Sequence, residues 1–294
     1  MSIATIGIIG VGNMGLGMAQ ALRNGGFAVM ARDLRPAAEA AAAQIRATVA
    51  PDARELAERS DAILVVVVDA GQNEDALFNE AQPASRGWRR GTPVLLCSTI
   101  APEDTERLAG RIAQAGGVPI DAPMSGGPAR AAAGALSFML AGDDGALERL
   151  APVLSALGRH RFRISAQPGD GARMKLINNL LAGIHLAAGA QVLAAGEAIG
   201  LDLTQMLDVV QASSGQSWIV EERMRRAASG DRAVRAHTRI LAKDLTLGMA
   251  MLEHAGLSAS LGAETLERFR AALASGLGDQ DDSSLFAMER KTSG

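Results

Sequence analysis

The sequence predicts an α/β domain built on a doubly wound parallel sheet, followed by a long bridging helix and an all-α C-terminal domain. Two observations carry this. In the first half of the 294-residue chain, short β-branched runs alternate with alanine-rich amphipathic stretches. Most of those runs are apolar without a polar face, as strands covered on both sides must be. After about residue 166 the strand signal stops, and residues 171–200 form one apolar stretch nearly free of charge.

The elements follow in order. TIGIIG (5–10), FAVMARD (27–33), AILVVVV (62–68), TPVLLCST (92–99) and VPIDAP (118–123) read as strands. LSFMLAG (136–142) and HRFRIS (160–165) are two further strands closing the sheet. Helical stretches lie between them, such as MGLGMAQALRN and RPAAEAAAAQIRA. The domains are expected at 1–165 and 166–294, with the bridging helix at about 171–200. That helix is apolar on every face, so it is expected to be buried all round, between domains or between subunits. LTQMLDVVQASS, WIVEERMRRAAS, RILAKDLTLGMAMLEHAG and AETLERFRAALAS complete the helical domain, and the tail from Glu289 is expected to fray.

Composition narrows the function. A net charge of −3 and 48% hydrophobic residues describe a globular protein without a basic footprint, which argues against nucleic acid and anionic membrane as partners. The single cysteine, Cys97, lies in an apolar run and reads as a buried strand residue; no disulfide is possible within the chain, which fits the cytoplasm. One cysteine and four scattered histidines (His160, His185, His237, His254) form no metal-ligand pattern, so no metal is expected. His185 reads as a satisfied core histidine, His160 as an edge residue, and His237 and His254 as helix-surface residues.

GVGNMG follows the first strand and opens a helix. In that setting Gly10 makes the tight turn, Gly12 lets a pyrophosphate approach the backbone, and Gly15 brings helix against strand. Asn13 and Met14 begin the helix whose N-terminus would face the phosphates. Asp33 ends the second strand, where a carboxylate accepts from ribose hydroxyls and repels a 2′-phosphate. NAD is therefore the expected cofactor, with NADP less favoured; Arg32 and Arg35 flank the carboxylate.

Alcohol oxidation with NAD needs a base for the hydroxyl proton. Tyrosine is absent from the chain, and lysine is scarce: Lys175, Lys243 and Lys291 stand among 29 lysines and arginines. Lys175 and Asn179 are four apart in the bridging helix and share one face. Burial there would lower the lysine pKa toward the working range of a base; a salt-bridged interface lysine is the bland alternative.

These motifs resemble the β-hydroxyacid dehydrogenase family, which includes 3-hydroxyisobutyrate dehydrogenase and tartronate semialdehyde reductase, within the 6-phosphogluconate dehydrogenase-like superfamily. The similarity runs through GVGNMGLGMAQAL, DAPMSGG (121–127), GDGARMKLINN and Lys243-Asp244-Leu245. It implies Lys175 as general acid/base and Asn179 as substrate holder. It also implies Ser125, Gly126 and Gly127 on the substrate carboxylate, Thr99 on the nicotinamide side, and Lys243 beside the cofactor. The chain departs from the family in having VVVVDAGQN where Leu-Pro is usual, and Arg130-Ala131 where Gly-Ala is common. Arg130 could read a hydroxyl or second acid of a sugar-acid substrate, and residues 213–218, with Trp218, could line the far end of the pocket. The resulting expectation is an NAD-dependent oxidoreductase of a small β-hydroxy carboxylic acid, assembled as a homodimer or homotetramer. The alternatives are a non-catalytic dinucleotide-binding scaffold and an NADP-dependent reductase of a semialdehyde acid.

Overall fold

The structure is a computed structural model that describes residues 3–292. The chain forms two compact units, divided between Lys175 and Leu176. The division falls inside the bridging helix rather than before it, because the first turn of that helix is fastened to the sheet, as described below.

The first unit begins with β1 (Thr5–Ile9), α1 (Asn13–Asn24), β2 (Ala28–Arg32), α2 (Pro36–Gln44) and β3 (Thr48–Val49). It continues through α3 (Ala53–Glu58), β4 (Ala62–Val65), α4 (Ala70–Glu74), β5 (Pro93–Leu96), α5 (Pro102–Gln114) and β6 (Val118–Asp121). β7 (Met124–Ser125), α6 (Gly127–Ala132), β8 (Leu136–Gly142), α7 (Asp144–Leu157) and β9 (Gly158–Ser165) follow. The sheet order is β3-β2-β1-β4-β5-β6-β8-β7, with β9 on β8. The first six strands are parallel, as expected. β8, by contrast, runs antiparallel to β6 and β7, because the chain turns back through β7 and the six-residue α6 instead of crossing the sheet.

Why these runs are strands is visible in their burial. Ile6, Ile8, Leu64 and Leu95 are fully covered, and burying such a side chain contributes about 1.5–3 kcal/mol. α1 presents Gly15, Met18, Ala19 and Leu22 to the sheet, the i, i+3, i+4, i+7 face of an amphipathic helix. Asp52 and Asp143 cap α3 and α7 through their carboxylates. The register pairs Ile9 with Arg32 and Val65, Val65 with Leu96, and Leu96 with Asp121. The residues that follow these strand ends (Gly10, Asp33, Val66, Cys97 and Ala122) are thereby placed along one edge. The order reverses between β1 and β4, the position where open α/β sheets bind ligands.

α8 (Asp170–Ala198) opens in the first unit and continues into the second, where α9 (Leu203–Gln211), α10 (Trp218–Ala228), α11 (Thr238–His254), α12 (Ser260–Ala274) and α13 (Ser284–Thr292) follow. Leu186, Met224, Leu245, Phe269 and Leu285 form the core of this helical unit. α8 is long and apolar enough to cross a bilayer by length and composition, yet its glycines pack against neighbouring helices. A Cβ on Gly183, Gly189 or Gly196 would lie 2.6, 2.7 or 2.3 Å from Leu245, Val220 or Met206.

Within one chain α8 leaves Ile177, Leu181, Val192 and Ile199 exposed along one stripe. Two expectations need correction. The tail does not fray at Glu289, which is buried inside α13 and accepts a hydrogen bond from Arg268 at 2.8 Å. His237 caps α11 rather than lying on a helix surface, with its Nδ1 3.0 Å from the Asp279 carbonyl.

Candidate active site

The glycine loop at the end of β1 is shaped for a dinucleotide. Gly10 has φ +90°, a left-handed conformation that glycine adopts without strain, and a Cβ on Gly15 would lie 1.9 Å from the Gly10 carbonyl oxygen. Gly12 caps α1 with no side chain to satisfy the first-turn amides, and no acidic residue occupies that turn. Asn13 and Met14 begin the helix. Open amides at a helix N-terminus suit a phosphate group.

Asp33 stands immediately beyond β2 and is nearly buried. Its Oδ2 accepts from the Val11 amide at 2.9 Å, which ties it to the glycine loop. Its Oδ1 accepts from the Arg35 amide at 2.9 Å and the Arg35 guanidinium at 3.0 Å. Burial works against the charge, but the Arg35 bonds outweigh it and hold the carboxyl below the usual range. Arg32 is engaged with Glu39 at 2.7 Å and with the Asp33 carbonyl. Arg35 is the more exposed of the two arginines, and a Cβ on Gly12 would lie 2.9 Å from its Nη2.

The loop after β4, which lacks the usual Leu-Pro, is held by side-chain hydrogen bonds. Asp69 caps α4 by accepting from the Gln72 amide at 2.8 Å, and Gln72 accepts in return from the Val68 amide at 3.1 Å. Buried Asn73 donates to the Ser98 hydroxyl at 2.9 Å, so this loop is pinned to the one that carries Thr99. Cys97, just before it, is buried as expected, and burial first, then the nearby Asp121, pushes its thiol far above its ordinary pKa. A cysteine so placed is not a nucleophile.

Beyond β6, Ser125 pairs in β7 opposite Ser137. Gly126 and Gly127 have φ +142° and +74°, and a Cβ on Gly126 would meet Arg130 at 3.0 Å. Arg130 is exposed on α6. A Cβ on Gly17 of α1 would come within 2.9 Å of Ala131, so α6 packs against the helix that opens at the glycine loop. Gly10, Gly12, Asn13, Met14, Gly15, Asp33, Thr99 and residues 125–127 therefore belong to one edge of the first unit. Lys175, at the end of that unit, is buried at 7% exposure, and Asn179 is half-buried one helical turn further on.

In the second unit, Asn179 donates through Nδ2 to Asp244 Oδ2 at 2.6 Å, and Lys243 Nζ lies 2.8 Å from Asp244 Oδ1. The buried Asp244 fixes the amide so that Asn179 Oδ1 is its acceptor end, here bonded by Asn178. Trp218 begins α10 at 48% exposure, and the preceding Ser217 hydroxyl lies 3.1 Å from Nδ1 of the half-buried His185. A shallow surface cavity of about 620 Å³ is lined by Glu106, Asp170 and Arg173 among others, and by none of the residues above.

Residues 5–166 match the NAD binding domain of 6-phosphogluconate dehydrogenase, and residues 169–288 match the NAD-binding model of NADP-dependent 3-hydroxyisobutyrate dehydrogenase. The chain belongs to the β-hydroxyacid dehydrogenase family. Like other β-hydroxyacid dehydrogenases, it is an oxidoreductase of hydroxy acids with NAD as cofactor. It is 38% identical over 281 residues to L-threonate dehydrogenase of Escherichia coli (strain K12), covering 95% of this chain and 93% of the relative. It is 32% identical over 283 residues to the NAD-dependent L-serine dehydrogenase of Pseudomonas aeruginosa, covering 94% of each. The crystal structure of 3-hydroxyisobutyrate dehydrogenase from Salmonella typhimurium superposes with a TM-score of 0.90 at 35% identity, covering 97% of this chain and 99% of that one.

Sequence reasoning missed four residues of this β-hydroxyacid dehydrogenase that the geometry singles out. Asp121 and Asp244 both lie inside quoted motifs, DAPMSGG and Lys-Asp-Leu, but their partners are 48 and 65 residues away in sequence. Arg35 was visible as a neighbour of Asp33, though not that it clasps the carboxylate. Asn73 carried no signal beyond being a polar residue where Leu-Pro is absent.

Proposed function

We propose that this dehydrogenase oxidises a hydroxyl of a small polyhydroxy acid of the threonate class, with Lys175 as the general acid/base. The observation that carries the reading is a lysine at 7% exposure, one helical turn from Asn179, in a chain that otherwise uses arginine almost throughout. Arginine stays protonated at any working pH, whereas a desolvated lysine can give up its proton. The similarity to L-threonate dehydrogenases favours a four-carbon hydroxy acid, and Arg130 beside Gly126 suits a substrate with an additional hydroxyl.

Residues 10–15 and Asp33 would hold NAD, which would supply the hydride acceptor. The neutral Lys175 amine takes the hydroxyl proton as the carbinol carbon becomes a carbonyl, and returns it in the reverse direction. Asn179, with its amide oriented by Asp244, hydrogen-bonds the reacting hydroxyl region. Ser125 and the backbone amides of Gly126 and Gly127 hold the carboxylate, Thr99 faces the nicotinamide side, and Lys243 lies by the cofactor. Asp33 favours NAD over NADP, and its Arg35 clasp has to open for the ribose hydroxyls to reach the carboxylate.

The working unit is a homo-oligomer in the cytoplasm. Ile177, Leu181, Val192 and Ile199 form an exposed apolar stripe at helical spacing on α8, the kind of surface that a second copy covers. A substrate panel tests the activity: L-threonate, D-glycerate, L-serine and 3-hydroxyisobutyrate, each with NAD and with NADP, followed by NADH or NADPH absorbance. Turnover is expected with NAD and highest for the four-carbon acid. Silence across the panel from protein that still binds NADH would leave a scaffold, not an enzyme.

A further inference from the structure

We propose that Asp121, the first residue of DAPMSGG, is a positioning residue for the reaction: its carboxylate fastens the first turn of α8 to the end of β6 and thereby sets where Lys175 sits. The proposal rests on Lys175 being the acid/base. Asp121 is 1% exposed, and its Oδ2 accepts backbone N–H groups from Gly169 at 2.8 Å and Ala172 at 3.0 Å, with the Gly171 amide also turned toward it. These are the amides that a helix leaves without intrahelical partners. They are satisfied here by a residue 48 positions earlier rather than by a local cap.

The bond explains a motif that resemblance alone left unexplained. In GDGARMK, Gly169 has φ +106°, which turns its amide toward Asp121. A Cβ on Gly171 would lie 2.8 Å from Asp121 Oδ2 and 2.7 Å from the Met139 carbonyl oxygen. Both glycines therefore serve the anchor. Lys175 is four residues beyond Gly171 and three beyond Ala172, so it shares their helix face about one turn further along. Gly171, Ala172, Lys175 and Leu176 are all buried. A shift of the first turn is passed directly to the lysine.

The charges around Asp121 are few. From α8, Asp170 faces it, itself bonded to Ser165 at 2.6 Å and Arg173 at 2.9 Å. From just beyond β5 comes the Cys97 thiol, neutral because its pKa is raised. β8 contributes Ala141 in register and the Met139 carbonyl. Burial pushes the Asp121 carboxyl up to about 6, against the pull of the three amides. The grip on α8 is thus charge-assisted above that pH and weaker below it.

Asp121→Asn mimics the protonated state at every pH. We expect it to fold and to keep an NADH affinity close to wild type, while kcat falls about 10- to 100-fold, the scale of a small misplacement of a reacting group. A step in kcat near pH 6 is expected of the wild type and should be absent from the variant. Wild-type kcat and pH profile in Asp121→Asn, alongside an inactive Lys175→Ala, would overturn the proposal and leave the lysine assignment standing. Full turnover by Lys175→Ala would overturn both. Should Asp121→Asn fail to fold, the backbone amide resonances of Gly169 and Ala172 in the wild-type protein decide: both are expected to titrate together near pH 6, and flat shifts from pH 5 to 8 would refute the anchor.

Discussion

Asp33 and Asp121 are the same residue type at the same kind of place, the C-terminal ends of two parallel strands in one sheet, and their surroundings make them opposites. Asp33 has an arginine partner with access to solvent, and its carboxyl is held below the usual range. Asp121 has only backbone amides and a buried setting, and its carboxyl is raised to about 6. Charge partners favour ionisation and desolvation opposes it. The end of β2 thus holds a carboxylate with a solvent-accessible partner, as its proposed role at the cofactor requires. The end of β6 holds one whose partners are main chain and stay in place, as a helix anchor requires.

Substitutions that fill the two glycine turns should have the largest effects. Gly15→Ala puts a methyl into the Gly10 carbonyl, and should abolish NADH binding measured by fluorescence. Gly171→Ala crowds Asp121 and Met139 and is expected to reduce kcat by at least about 10²-fold while NADH binding survives. If both variants lose cofactor and turnover alike, the two regions are not separable. Next in size, Asp33→Ala should shift the ratio of kcat/KM for NAD over NADP by about tenfold, ~1.4 kcal/mol, toward NADP. An unchanged ratio would remove Asp33 from cofactor choice. Arg35→Ala frees Asp33 for the ribose and should improve KM for NAD a few-fold without altering kcat.

The smallest effects are in stability against pH, and their signs differ. The Asp33 pKa is lowered on folding, so its contribution is present above about 3.8 and is lost as pH falls below that value. The Asp121 pKa is raised, so its contribution is present below about 3.8 and is lost as pH rises through about 6. Melting temperatures from pH 3 to 7 should therefore show Asp33→Asn losing ground against wild type as pH rises, and Asp121→Asn gaining it. Parallel curves would mean that the two sites do not differ as described.

The sequence made the sheet legible because β1, β2, β4 and β5 are continuous apolar runs. It also exposed the glycine loop, Asp33 and Lys175, whose signals are local. β3 and β7 escaped notice because a two-residue strand leaves no periodicity to read. The reversed direction of β8 depends on the β7–α6 turn, and its apolar pattern is the same either way. The exposed stripe on α8 was hidden by composition, since an all-apolar helix does not reveal which face lacks a neighbour within the chain. Among the site residues, those proposed to act on a ligand could be picked out by type and spacing. Those that act on another residue, Asp121 on α8 and Asp244 on Asn179, became visible only when the fold brought distant positions together.

The central claim is that Lys175 carries the proton, and steady-state kinetics of Lys175→Ala with NAD and the best acid of the panel test it most directly. The predicted result is a kcat lower by about 10²–10⁴-fold, with the dissociation constant for NADH unchanged. A variant that binds NADH normally and turns over at the wild-type rate would contradict the account.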